Sequence, residues 1–434
     1  MANNILTTIE TLKSILPVFE DNIIEKVKDA SPKPVEPADD DIPTIFITGK
    51  IPDSKTYVAG ALEYVSKSYR FHAYTYIKLQ GNSTLYLPKK NYTVNLYSDE
   101  NRSVKLNKEF KNWGFHNNFV LKADYNDILH ARNVVGSKLW GKVVRSRSDY
   151  NTLPEELKNS PNNGAIDGFP VRVYVNGTYK GLYNWTIPKC DWMIGMNSAN
   201  ANHVLLSAEF NDNRDVAYQN NPCNFNTLWD GSEDYFSVEI GKNSTELVSS
   251  LNTIISSIIN NDSASLEQSL DIKSAIDYFI FQEIILGTDG LAKNMLLATY
   301  DMNKWYLSAY DMDSTFDLDW NGQILDDYDS DMPYAPYNNK FSALLSYIRN
   351  NYYDAHVERY VELRKSVLSY SSIIEEFEKY IGIFGEDIYI QDTSIYPDIP
   401  SVTDNTLMSL RSFVSDRLEY LDYDHGVVIE WRSM

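Results

Sequence analysis

The sequence predicts an α+β fold with a β-rich N-terminal half and a helix-rich C-terminal half. Two observations carry this. Thr44-Ile-Phe-Ile-Thr-Gly49, His72-Ala-Tyr-Thr-Tyr-Ile-Lys-Leu79 and Tyr92-Thr-Val-Asn-Leu-Tyr97 alternate with period two, the pattern of half-buried strands. From residue 341 onward, apolar residues recur at helical spacing over 341–348, 356–370, 372–383 and 407–421. Strands first and helices later is an α+β order.

Composition excludes several function classes. The 434 residues carry a net charge of −21, which opposes a nucleic-acid partner, because such binders gain affinity from clustered Lys and Arg. Two cysteines, Cys190 and Cys223, are too few for a disulfide framework or a thiolate zinc site. The N-terminus lacks a basic and then apolar signal, and no apolar run reaches the roughly 18 residues of a membrane span. The expectation is a chain with no signal peptide, no membrane and no nucleic acid. Tyr outnumbers Gly, 32 to 19, which favours a folded chain with a sticky surface.

Four regions follow in order. In residues 1–30, Ile5, Ile9, Leu12, Leu16, Phe19 and Ile23 alternate four and three steps apart, interrupted by Pro17; two short helices are expected, serving attachment, self-association or packing back on the body. Residues 31–43 are Pro-rich and acidic and read as a stiff linker. Residues 44–195 form the β-rich region. It holds the turn Gln80-Gly-Asn-Ser followed by Lys89 and Lys90, which suits phosphate oxygens but is also ordinary hairpin chemistry. Next come the strand Asn118-Phe-Val-Leu-Lys-Ala123, a helix opened by Asp124 to Asp127 and running to Trp140, and a loop over 148–168. An Asn176-Gly177 hairpin closes the region. Arg132, near that helix's start, gains nothing from the dipole and so pairs with a carboxylate or faces a ligand.

Residues 196–434 form the helix-rich region. It begins irregularly over 197–236, with helices at 245–258 and 263–286. The chain is organised around 271–319. Asp271 is placed to cap a buried helix, Gly287 to stop it, and Asp289-Gly-Leu-Ala-Lys-Asn294 leads into a hairpin of 294–300 and 304–310 ending in Asp311-Met-Asp313. Protein kinases present their catalytic Asp, metal-binding Asn and second metal-binding Asp in this order. Beyond it, Asp317-Leu-Asp319-Trp-Asn321-Gly322-Gln-Ile324 matches the first eight positions of an EF-hand loop, with Tyr328 where a bidentate Glu belongs. Asp317, Asp319 and Asn321 are therefore possible Ca²⁺ ligands; a solvated acidic loop is the alternative.

Four stretches together resemble the CotH (spore-coat protein H) kinase family: Lys78-Leu-Gln-Gly-Asn-Ser…Lys89-Lys90, Asn118-Phe-Val-Leu-Lys-Ala-Asp…Arg132-Asn133, Val175-Asn-Gly-Thr-Tyr-Lys-Gly-Leu-Tyr183, and Trp305…Asp311-Met-Asp313-Ser-Thr-Phe316. The resemblance implies an atypical, secretory-kinase-like fold using ATP and Mg²⁺. It implies Asp289 as catalytic Asp, Asn294 and Asp311 as metal ligands with Asp313 as a further carboxylate, and Lys89 or Lys90 at the nucleotide phosphates, with Arg132 a further candidate there. One departure stands out: Ile187 occupies a place where the family usually has Glu. The Ile187-Pro-Lys189 variant resembles the phage and prophage branch, whose members sit in virions as tail or baseplate parts. That implies virion partners engaged through residues 1–43. Two functions are thus expected, ATP-dependent transfer to protein hydroxyls, or a weakly active or inactive structural and host-adhesion part. Glycoside hydrolysis by paired acids has no spacing to support it.

Overall fold

The computed structural model describes residues 42–210, 228–229, 235–331, 342–384, 386–400 and 403–429. The expected helices of residues 1–30, and the linker but for its last two residues, lie outside these. Alternating side chains in the first half produce strands β1 (Thr44–Gly49), β2 (Val58–Val65), β3 (Arg70–Gln80), β4 (Asn91–Tyr97), the short pair β5 (Lys108–Glu109) and β6 (Phe115–His116), β7 (Asn118–Lys122), β8 (Gly168–Val175) and β9 (Thr178–Thr186). Seven of them close into a barrel in the order β1-β2-β3-β4-β7-β9-β8. Closure comes from a parallel pairing of β1 with β8, Thr44 opposite Arg172. Closing a sheet removes its unpaired edges. This closed barrel is the main difference from expectation: strand alternation shows which face is buried and is silent on whether the two ends of a sheet meet.

The predicted strand set also lacks β2, whose Val58-Ala-Gly-Ala segment buries no residue fully and has no clear alternation. Helix α1 (Arg132–Arg145) starts later than expected. Asp124 and His130 have left-handed backbone, φ 44° and 52°, which no α-helix accommodates, so 124–131 is a turn. Asp127 ends it: its carboxylate accepts from the backbone N–H groups of Ala131 and Arg132 at 2.9 and 2.8 Å. The expected loop 148–168 contains one short helix, α2 (Glu155–Asn159).

The second half opens with strands rather than irregular chain. β10 (Val204–Glu209), β11 (Leu228–Trp229), β12 (Phe236–Ile240), β13 (Lys293–Thr299) and β14 (Trp305–Ala309) form a sheet in the order β11-β12-β10-β13-β14. The β13–β14 hairpin is the one expected, with Met295 opposite Ala309. Helices α3 (Thr245–Ile259), α4 (Ser263–Ser269) and α5 (Ile272–Ile285) precede it. The single helix expected over 263–286 is broken because Asp271 caps α5, accepting from Ser274 N–H at 2.7 Å. Then follow α6 (Ala343–Asn351), α7 (Tyr353–Arg364), α8 (Tyr370–Ile381), α9 (Glu386–Ile395) and α10 (Leu407–Asp424).

α5 is the axis of this half. Every residue from Ser274 to Ile285 is buried, as expected of a helix apolar all round. The rings of Tyr278 and Phe281 meet Trp140 of α1 at 5.9 and 5.4 Å, and Trp140 Nε1 donates to Ser308 of β14 at 3.0 Å. This packing fixes the barrel's helix against the hairpin and the helix that end at the acidic residues. The core runs continuously from Ile42 to Leu421. Among the described residues no helix is long and apolar enough to cross a membrane.

Candidate functional site

Four chain segments end at one cleft of about 240 Å³. β7 delivers Lys122, and the turn after it Asp124 and Asp127. The 3₁₀ turn Thr288–Leu291 that follows α5 presents Asp289. The chain leaving β14 presents Asp311 and Asp313. Ser83 and Thr84, on the 3₁₀ turn Ser83–Tyr86, form one wall with Lys89 and Asn91, and Trp320 and Asn321 of the acidic loop stand at the rim. Two non-glycine residues of the lining have left-handed backbone: Asp124 and Asp311, with φ of 44° and 54°. Such strain persists where surrounding structure enforces it, often at functional sites.

Of the two lysines that line the cleft, Lys122 is the one paired with a carboxylate of the lining. Lys122 Nζ lies 2.7 Å from Asp311 Oδ1 and over the Tyr310 ring at 6.0 Å. Burial alone would lower the Lys122 pKa; the charges of Asp311, Tyr310 and Asp313 outweigh it and hold the amine protonated. Asp313 is pushed well above the usual carboxylate range, first by burial and then by Asp311. Asp124 is also raised, chiefly by burial, and accepts from Asn184 at 2.7 Å. Four acids, Asp124, Asp289, Asp311 and Asp313, thus share a small space around one lysine, a hard-oxygen donor set suited to Mg²⁺ or Mn²⁺.

Of the residues singled out from the sequence, Asp289, Asp311, Asp313 and Lys89 line this cleft, whereas Asn294, the second residue of β13, lies outside its lining. Lys89 is fully engaged within the protein: its Nζ lies 3.0 Å from Asp392 Oδ1 and also donates to Leu182 O. His130 Nε2 completes the triad, 3.0 Å from Asp392 Oδ2. Lys90 Nζ donates to Leu85 O at 2.6 Å, which braces the Ser83–Tyr86 turn. Arg132 is buried and spends its donors on Asp127, Asn405 Oδ1 at 2.7 Å, and the carbonyl of Thr315 at 2.9 Å. Of the alternatives open for Arg132, the carboxylate pairing is the one observed.

Of the expected Ca²⁺ ligands Asp317, Asp319 and Asn321, the first and last line different grooves. An antiparallel bridge between Leu318 and Ile324 folds the loop so that Asn321 faces the cleft, while Asp317 lines a second groove with Asp326, Asp327, Asp404 and Asp416. Burial raises the Asp317 pKa to about 6. Ile187 is buried in the core, 1% exposed, and does not line the cleft. Two residues not singled out from the sequence hold this region together: Lys122, the last residue of β7, and Asp392 of α9. The Asn118–Asp124 stretch contains Lys122 and is the signal that points to it, whereas no motif surrounds Asp392.

A protein-family model described as CotH kinase protein matches residues 77–421. The chain belongs to the CotH kinase protein family. The match covers the whole of the cleft, from Ser83 to Asn321, together with the helices behind it. No curated protein matches the chain significantly.

Proposed function

We propose that this CotH-family protein has a kinase-like site that binds ATP with Mg²⁺ in the Lys122–Asp311 cleft and transfers the terminal phosphoryl group to a protein hydroxyl. The observation that supports it best is the meeting of Asp289, Asp311, Asp313 and Lys122 at one cleft, delivered by three separate segments. Phosphoryl transfer asks a protein for positioning and charge neutralisation more than for covalent chemistry. Lys122 would contact phosphate oxygens, and the N–H and hydroxyl groups of Ser83 and Thr84 lie on the same wall. Asp289 would take the proton of the acceptor hydroxyl as its oxygen bonds to phosphorus and the bond to ADP breaks.

Asp311 and Asp313 fit a magnesium ion by donor type, since such ions are held by one or two carboxylates together with substrate phosphates. The bound ion would neutralise charge on the phosphates. It would also lower the cost of ionising Asp313, which is otherwise raised by burial.

The role in its host follows a second observation. Ile187-Pro188-Lys189 resembles the phage-encoded branch, and we propose a virion component attached through residues 1–43, in which activity is retained or secondary. Labelling with γ-phosphate-labelled ATP and Mg²⁺, wild type against Asp289→Ala, tests the activity. Asp289-dependent label on the protein or on co-assembled proteins is expected. Equal labelling of both, or no stabilisation of the wild type by ATP and Mg²⁺, would remove the kinase reading.

A further inference from the structure

Far from the cleft's opening, three donor side chains converge in the core: Glu283 of α5, His356 of α7 and His425, which closes α10. Their ligand atoms all lie within 4.8 Å of one another. Glu283 Oε2 is 3.1 Å from His356 Nε2 and 3.6 Å from His425 Nε2. A zinc ion with bonds of 2.0–2.2 Å spaces its tetrahedral ligands about 3.3 Å apart, so the two carboxylate–imidazole separations already stand near that spacing.

The imidazoles are the unusual part. The side chains of His356 and His425 are each 0% exposed, and neither nitrogen of His425 has a hydrogen-bond partner, nor does Nδ1 of His356. Leaving a buried polar atom unpaired costs about 1–3 kcal/mol, so a histidine orphaned on both nitrogens is a poor choice for packing alone. Aromatic rings flank the site: His425 is tilted against Tyr360 at 4.4 Å and His356 against Phe279 at 4.7 Å.

The surrounding charge permits a cation. Arg349 meets the other carboxylate oxygen of Glu283 at 3.3 Å and also pairs with Asp331 and Asp424. Arg417 donates to the Glu283 backbone carbonyl at 2.8 Å. Three carboxylates against two guanidiniums leave the neighbourhood net negative, and Glu283 Oε2 is turned toward the two imidazoles rather than toward the arginines.

We infer that Glu283, His356 and His425 form a structural site for a zinc-type transition-metal ion, clasping α5, α7 and the end of α10. Two imidazoles and one carboxylate are donors that zinc, cobalt(II) and nickel(II) accept and that magnesium does not favour. Glu283 stands six residues before Asp289, so the ion would brace the helix that positions the cleft's acid, and fasten the chain's last helix to it. This site is separate from the Lys122–Asp311 cleft and stands whether or not that cleft transfers phosphate.

The test is metal loading of the full chain. Chelator-stripped protein titrated with Co²⁺ is expected to take up one equivalent with the visible d–d bands of a low-coordinate imidazole site, and to gain thermal stability. Asp311→Asn should keep those bands; His356→Gln and His425→Gln should lose them, with at least about 100-fold weaker binding. X-ray absorption of the zinc-loaded wild type, which needs no variant to fold, should show two imidazole ligands. Absent imidazole scattering, no uptake by the wild type, or unchanged bands in both folded histidine variants would overturn the site.

Discussion

Lys122 Nζ and Asp311 Oδ1, 2.7 Å apart, join the last residue of barrel strand β7 to the chain leaving β14 of the second sheet. The pair spans the cleft and is its one direct cation–carboxylate contact with Lys122. Lys122→Met leaves the acids of this cleft without that charge. We expect loss of the thermal stabilisation given by ATP and Mg²⁺ and a fall in labelling of about 100-fold or more, the scale set by removing a preorganised charge from a reacting site. Lys122→Arg should recover part of it. Undiminished nucleotide binding in Lys122→Met, measured by calorimetry, would show that the lysine only holds the two sheets together.

Asp289 is predicted to act on the acceptor rather than on the nucleotide. Asp289→Asn keeps size and polarity on the Thr288–Leu291 turn and removes the base. Phosphotransfer should drop by about 10²–10⁴, the usual contribution of a general base, while the affinity for ATP with Mg²⁺ is kept. Parallel loss of both, read by labelling and by calorimetry, would instead make Asp289 a part of the cation site.

How far the sequence could be read follows the range over which each signal acts. α5 was legible because Asp271 and the buried run Ser274–Ile285 are local, and so was the hairpin that ends at Asp311. Asp289 and Asp313 were placed by motif order, which the chain keeps. Lys122 was not, since a lysine at the end of an apolar strand looks like any strand end until Asp311, 189 residues away, is brought beside it. Asp392 was hidden for the same reason: its partners Lys89 and His130 lie 303 and 262 residues distant. The barrel closure needs β1 to find β8, again a long-range pairing without local trace. Arg132 was caught in its alternatives, because a buried arginine and a ligand-facing one have identical sequence neighbourhoods.

The Lys89–Asp392–His130 triad predicts an acid-sensitive core. Burial raises the Asp392 pKa, but Lys89 and His130 outweigh it and hold the carboxyl at about 2, against 3.8 ordinarily. A depressed carboxylate pKa gives stability that is full above the ordinary value and is lost as pH falls through the folded one. The contribution, about 2 kcal/mol, should therefore disappear between about pH 4 and pH 2. Asp392→Asn removes it at every pH and strands Lys89 as a buried cation, so a loss of about 3–5 kcal/mol at neutral pH is expected. Urea midpoints across this range check both; an Asn variant as acid-sensitive as the wild type would assign the effect elsewhere.

Arg132 offers a contrast between scaffold and site. With Asp127, Asn405 and the Thr315 carbonyl already taking its donors, Arg132→Met should destabilise by about 3–5 kcal/mol through the stranded Asp127 carboxylate. The stabilisation added by ATP and Mg²⁺, measured as a difference in melting temperature, should stay as in the wild type if the variant is assayed below its own transition. A selective loss of that increment would return Arg132 to the nucleotide.

Ile187 raises the question of whether restoring a glutamate would restore something missing. Each nearby cation already has its carboxylate: Lys122 has Asp311, and Lys189 has Glu239 at 3.0 Å and Glu209 at 3.4 Å. The Ile187 side chain itself is packed in the core at 1% exposure, with its backbone N–H bonded to Asp167 O at 3.0 Å. Ile187→Glu would place a charge where no partner waits, and a buried charge without a partner costs several kcal/mol or takes up a proton instead. We therefore expect a lower melting temperature, by a loss of about 3 kcal/mol or more, and no gain in phosphotransfer. A rise in Asp289-dependent labelling in Ile187→Glu would show that the substitution, rather than the arrangement of Lys122 and Lys189 with their present partners, sets the activity of this chain.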